Sequence, residues 1–148
     1  MAAPRSVDQR IADTRERLEH DVDAWIATAS PDRPWLIPLS LLWHGDRLLF
    51  ATNANSATAV NIGLMRRVRV ALDGVRDVVV IDGDADLAPS TTLSSAELDA
   101  YTAKHNSDPR TWADAVIHVV PLRIQVWREE NEIAGRTIMR NGVWVSGP

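Results

Sequence analysis

The residues with the clearest capacity for chemistry lie together in Asn53-Ala54-Asn55-Ser56-Ala57-Thr58, a run of amide and hydroxyl side chains between an apolar, β-rich segment and a helical pattern. The first backbone N–H groups of a helix have no intrahelical partner, so such a junction can present several donors to an anion. It is the strongest ligand-site candidate in the chain. Trp127 stands where the apolar run Leu122 to Trp127 meets Arg128-Glu129-Glu130, a position near a rim that suits a wall of a binding site.

Other reactive side chains read as structural. His20, His44, His105 and His118 are scattered without metal-ligand spacing; His44 falls in a turn and His118 in a strand. Asp82, Asp84 and Asp86 alternate along a strand, a pattern that could serve a cation but is read more simply as a solvent-facing edge that resists pairing. Glu129, Glu130 and Glu132 form a surface charge cluster, and Trp25, Trp35 and Trp43 lie on β-like runs as core or barrel-rim packing. No Ser-His-Asp order or paired-carboxylate spacing stands out. There is no cysteine, so disulfides, thiolate metal sites and thiol nucleophiles are excluded, and Lys104 is the only lysine, which leaves little room for Schiff-base chemistry.

The elements that hold the junction follow from periodicity and turn residues. Ser6 caps a first helix to about residue 20, with Gln9 completing a capping box and Ile11 and Leu18 on a narrow apolar stripe. Asp21 to Ala29 reads as a strand ended by Ser30-Pro31-Asp32-Arg33-Pro34. Trp35 to Trp43 and Arg47 to Thr52 flank His44-Gly45-Asp46 as a hairpin. A short helix over Thr58 to Leu64 leads into a strand, Arg66 to Leu72, and after Asp73-Gly74 a second strand, Asp77 to Leu87, carries a bulge or close approach at Gly83. A helix lies within Pro89 to Lys104, capped by Ser94 or Ser95. Two strands, Ala115 to Val120 and Leu122 to Trp127, meet at Pro121, a bend or edge position. Together these predict a mainly β (α+β) domain, a six- to seven-stranded antiparallel split barrel or sheet with a few short peripheral helices.

Composition bounds the partners. The chain of 148 residues fits one domain, 1–148, with 45% hydrophobic and 24% charged residues. Its tail, about 128–148, ends in Gly142-Val143-Trp144-Val145, too apolar to hang free, and is expected to pack on the barrel or a partner subunit. A net charge of -4 argues against a nucleic-acid partner. No apolar run approaches about 18 residues and no secretion-signal core is visible, so neither membrane insertion nor export is expected, and the cytoplasm is the expected location. The near-exclusive use of Arg over Lys fits a GC-rich bacterial source.

The series DVDAWIATAS, RPWLIPLSLLWHGDRLLFAT, the Asn55-Ser56-Ala57-Thr58-Ala59-Val60-Asn61 element, RVRVAL, RDVVVIDGDADL and PLRIQVWREENEIAGRTIMRNGVWV resembles the pyridoxamine 5'-phosphate oxidase-like split β-barrel superfamily. Within it, the chain is similar to small actinobacterial flavin- or deazaflavin-dependent proteins, in order from about Asp21 to Val145. The resemblance implies a homodimer with a cofactor, FMN or the deazaflavin coenzyme F-420, in each groove between two barrels. It implies that Pro38 and Ser40 lie beside the ring and that Thr52, Ser56, Thr58 and Asn61 face the phosphate or its loop. Trp127 and the Trp144 region would wall the site, from the same or the partner subunit.

Two departures from the family pattern qualify this. Many members of the superfamily place Lys or Arg where Thr58 stands, and losing a charge-assisted bond costs on the order of 1–3 kcal/mol. Arg66, Arg67 or Arg69 could supply that charge, although a solvated face is the simpler reading for at least two of them. The basic and aromatic groups of a pyridoxamine-phosphate substrate site have no counterpart, so true pyridoxamine 5'-phosphate oxidase activity is not expected. The implied function is hydride transfer from a flavin or deazaflavin to a small conjugated or heteroaromatic substrate. This chemistry belongs to the cofactor and needs no acid–base motif. The alternatives are a non-catalytic dimeric barrel that binds or carries FMN, haem or another ligand, and a dimeric interaction module with an empty groove.

Overall fold

The computed structural model describes residues 1–145. Its first helix, α1 (Val7–His20), starts at Ser6, whose hydroxyl accepts from the Gln9 N–H at 3.1 Å. The Gln9 side chain does not return the bond and donates to Asp13 instead. The buried face of α1 is Arg10, Thr14 and Leu18, spaced one turn apart. Arg10 tolerates burial because its guanidinium donates to the carbonyls of Arg5, Glu132 and Gly135.

After β1 (Asp23–Ala29), the expected long strand through Trp43 breaks in two at Leu41, giving β2 (Pro34–Ser40) and β3 (Leu42–His44). Leu41 is fully buried and its N–H donates to Val22 O, so the chain turns inward there. The hairpin into β4 (Arg47–Thr52) has a two-residue loop, Gly45-Asp46, with both residues at φ 58°. Positive φ at both central positions is the type I′ geometry whose twist matches antiparallel strands.

Then follow α2 (Ala57–Leu64), β5 (Arg67–Leu72), β6 (Val78–Pro89), α3 (Ser95–His105, capped by Ser94), β7 (Ala115–Trp127), β8 (Thr137–Arg140) and β9 (Val143–Trp144). One antiparallel sheet runs β2-β1-β5-β6-β7-β4-β3, with β8 on β7 and β9 on β8. β2 and β3 end the sheet without pairing, so this is a mainly β, split antiparallel barrel with peripheral helices. The strand count exceeds six or seven because Leu41 divides one expected strand and the tail folds into a short hairpin on β7. Within the tail, β8 and β9 pair back toward β7 of the same chain, while residues 146–148 lie outside those described.

The two strands expected around Pro121 form one, β7, with a bulge: Asp82 pairs with Arg123 but Gly83 pairs with Pro121. On its other side β7 changes partner across the same point, from β4 at Ala115–Val119 to β8 at Ile124. A proline, which has no N–H to give, fits that break. A Cβ on Gly83 would stand 2.7 Å from both Val119 Cγ1 and Val120 O, which is why glycine occupies the facing position.

The aspartates of β6 do not guard an edge, since β6 lies between β5 and β7. They form a cross-strand ladder, with Asp82 bonded to Arg69 and Arg123, Asp84 to Arg67, and Asp86 to Arg66. All three arginines after α2 are thus engaged at the sheet surface, beyond the C-terminal end of that helix. Opposite this ladder, Leu18, Ile26, Phe50, Ile62, Val70, Ile81, Ile117 and Ile124 fill the barrel. A second apolar cluster, Leu42, Leu49, Leu93, Tyr101 and Val116, fastens α3 to the outside of β3 and β4. Glu132, read as surface charge, is buried; Trp25, read as packing, is 41% exposed on the outer face.

Candidate functional site

Fastening α3 against β3 opens a cleft of about 490 Å³ between the helix, the ends of β1 and β2, and the end of β4. Its walls include Pro38 and Ser40 on one side, Thr52 and Asn53 at the end of β4, and Tyr101, His105 and Trp112 on the other. Asp23 closes one end and accepts from the Ser40 hydroxyl at 3.1 Å, a contact set by the direct pairing of the two residues across β1 and β2. A second hollow of about 500 Å³ meets the cleft at Val22, Asp23 and Pro38 and carries the exposed Trp25 and Arg17. The Arg17 guanidinium is already engaged by the Asp21 carboxylate and the carbonyls of Asp73 and Asp77.

Within the cleft, His105 Nε2 lies 2.9 Å from Leu41 O. A carbonyl can only accept, so Nε2 carries the proton and Nδ1 is a bare acceptor, buried and without a partner. Burial pushes His105 below its ordinary value, against the pull of the Leu41 bond, keeping the ring neutral near pH 7. Burial likewise pushes the Tyr101 phenol up. The neighbouring Lys104 is pushed down by burial, with Glu19, Asp21 and Asp23 opposing, and its ammonium nitrogen has no hydrogen-bond partner.

The junction that drew attention in the sequence sits beside this cleft. Ser56 caps α2, accepting from Ala59 N–H at 3.2 Å, and its hydroxyl stands 3.4 Å from that of Thr52. Thr58 is fully buried with its hydroxyl unpartnered. Asn61 is buried too, its amide donating to Thr28 Oγ1 at 3.1 Å and tying α2 to β1. The fold therefore brings Pro38, Ser40, Thr52 and Ser56 together and turns Thr58 and Asn61 inward. Trp127 lies twelve residues past Ala115, the β7 residue opposite Thr52, which is roughly 40 Å of strand away. There it stacks under Arg136, with the guanidinium 5.5 Å from the ring centre. Trp144 packs on the chain's own core under Arg15.

No protein-family model and no curated protein matches the sequence. Solved structures do match in fold. A Listeria innocua protein named for pyridoxamine 5'-phosphate oxidase superposes with a TM-score of 0.63 at 16% identity, over 80% of this chain and 98% of that one. An F-420 reductase matches with a TM-score of 0.61 at 19% identity, over 74% of this chain and 94% of its own. A FAD-binding protein from Mesorhizobium loti matches with a TM-score of 0.63 at 15% identity, over 77% and 89%. The fold is that of the pyridoxamine 5'-phosphate oxidase-like split barrels.

In this split barrel, the far wall of the cleft is the part that sequence reasoning missed. Tyr101 falls inside the helix expected within Pro89 to Lys104, His105 is one of four scattered histidines, and Trp112 carries no local signal of its own. Their shared signal is weak: an aromatic, a histidine one turn later, and a tryptophan after an Asn-Ser-Asp-Pro stop. Only the docking of α3 on the barrel brings them opposite Pro38. Among the described residues, no group of three or more His, Asp or Glu is placed to hold a metal ion, and no helix is long and apolar enough to cross a membrane.

Proposed function

We propose that the protein is a homodimeric, cytoplasmic oxidoreductase that holds a flavin or deazaflavin ring, from FMN or coenzyme F-420, in this cleft and passes a hydride to a small conjugated or heteroaromatic substrate. The observation that carries the reading is the single cleft that sets Pro38, Ser40 and Thr52 against Tyr101 and Trp112. Its size lies within the roughly 300–1,000 Å³ of small-molecule sites. The names of two structures of like fold, an F-420 reductase and a FAD-binding protein, support the same class of cofactor.

The residues present fit the ring portion of such a cofactor. Pro38 and Trp112 offer flat apolar surfaces for its faces, and the Ser40 hydroxyl, fixed by Asp23, offers a polar group for its edge. Bound there, a flavin or deazaflavin supplies hydride transfer; the chain supplies orientation and a site shielded from water. Dimerisation is supported by the outer face of β1 and β2, where Trp25 and Leu36, 41% and 60% exposed, stand with Pro34 and Pro38 on the edge of the sheet. A partner on that face would also cover the open side of the groove.

An absorbance spectrum of the purified protein, followed by titration with FMN and the deazaflavin, tests the reading. Quenching of ligand fluorescence and a thermal shift are expected, and their absence with both ligands would sink it. A second reading is a barrel that carries its ligand without turning it over. Binding without turnover of a panel of enones and quinones would select that reading.

A further inference from the structure

Among the described residues, Asp23 is the only formally charged side chain lining the cleft, and its charge is negative. The nearest arginine, Arg17 in the adjoining hollow, is held by Asp21 and two carbonyls. Arg66, Arg67 and Arg69 are spent on the β6 aspartates. The loop between β4 and α2 is further altered: Asp114 Oδ1 accepts from the Ala54 N–H at 2.7 Å, so a carboxylate of the chain itself occupies a donor beside the cleft residue Asn53. Ser56 accepts from Ala59 N–H, so its hydroxyl can offer a phosphate only a neutral O–H donor. Thr58 faces the interior, its hydroxyl buried away from the cleft. Lys104, next to the cleft residue His105, is buried outside the lining and faces Glu19, Asp21 and Asp23, so an incoming phosphate dianion would meet two carboxylates and no cation in the lining, an unfavourable exchange for its hydration.

The polar groups left in the cleft suit a different ligand. Asp23 is an anion, and the other polar groups of the lining, Ser40, Thr52, Asn53, Tyr101 and a neutral His105, carry no charge. The carboxylate complements N–H or ammonium donors on a ring. We infer that the cleft recognises a neutral or cationic ring ligand through its ring alone and takes the non-phosphorylated form at least as well as the phosphorylated one. This rests on the flavin reading above and sharpens it: the phosphate of a mononucleotide is an encumbrance here, and riboflavin is as good a ligand as FMN.

The experiment is a parallel fluorescence titration of the full-length protein with riboflavin and with FMN, at low and at physiological salt. The expected dissociation constants agree within about threefold, whereas even one charge-assisted phosphate bond would separate them by about tenfold or more. Salt should leave riboflavin binding unchanged and strengthen FMN binding by screening Asp114 and Asp23, the opposite of what a cationic clamp would show. Asp114→Asn keeps an oxygen for the Ala54 N–H while removing the charge, so it should tighten FMN and leave riboflavin and the melting temperature unaltered. FMN binding tenfold tighter than riboflavin, or weakening with salt, would overturn the inference and leave the flavin reading standing, with a partner subunit as the source of the cation. Failure of both ligands to bind would overturn the inference, and the deazaflavin titration would then decide the proposed function on its own.

Discussion

Glu132 and Arg5, 127 residues apart in sequence, are joined by three hydrogen bonds: the Arg5 backbone N–H, Nε and Nη2 donate to the Glu132 carboxylate at 2.9, 3.0 and 2.8 Å. The Arg128 N–H adds a fourth at 2.9 Å. With its side chain 4% exposed, the carboxylate is pulled from 4.5 to about 2, chiefly by the Arg5 bonds. A carboxylate whose folded value is depressed stabilises the fold fully above its unfolded value, and that contribution drains away as pH falls through the folded one. Urea unfolding between pH 5 and pH 2 should therefore show a loss of about 3 kcal/mol attributable to this group. Glu132→Gln should cost about 3 kcal/mol at pH 7, because a neutral amide replaces the carboxylate that the Arg5 guanidinium bonds while Asp13 keeps its hold on Nη1, and should flatten the acid limb. An acid limb unchanged in the variant would refute the assignment.

At the bulge, Gly83→Ala would push a methyl to 2.7 Å from Val120 O, a backbone atom that cannot swing aside as a side chain can. The expected cost is about 1–3 kcal/mol, read as a lower urea midpoint at unchanged slope. A neutral substitution would mean that β6 and β7 part at this point more easily than the register implies.

For the dimer, light scattering should give twice the chain mass. Leu36→Asp, placed on the exposed face of an edge strand, should give monomers, with unfolding of the isolated chain shifted by no more than about 0.5 kcal/mol. A native monomer would leave the open side of the cleft uncovered and remove the dimeric form of the proposed function.

Trp112 is held by its indole N–H to Ser107 Oγ at 3.1 Å and is 44% exposed, so little of the fold depends on it. If it stacks on the ring, Trp112→Ala should weaken flavin binding by about threefold to tenfold, the equivalent of roughly 0.5–1.5 kcal/mol, with melting nearly unchanged. Equal affinity in the variant would move the ring elsewhere in the cleft.

The sequence by itself determined the local elements, because each has a short-range cause. Ser6, Ser56 and Ser94 cap their helices from one residue before, Gly45-Asp46 closes a hairpin, and Gly83 and Pro121 mark the bulge they create. The split-barrel class was legible for the same reason, together with the ordered resemblance of the segments. Tertiary structure alone decided which polar groups face the cleft. Ser56 and Thr58 look alike in the sequence, but two positions around a helix turn is about 200° of rotation, so one borders the cleft and the other is buried. Asp82, Asp84 and Asp86 look like an edge until β5 and β7 are seen on either side, and Glu132 looks solvated until the N-terminus folds back over it. Tyr101, His105 and Trp112 are brought opposite Pro38 by the packing of α3, and Asp114 reaches Ala54 only because Thr52 pairs with Ala115. Contacts across 60 residues or more depend on where whole elements dock, and no local propensity encodes that.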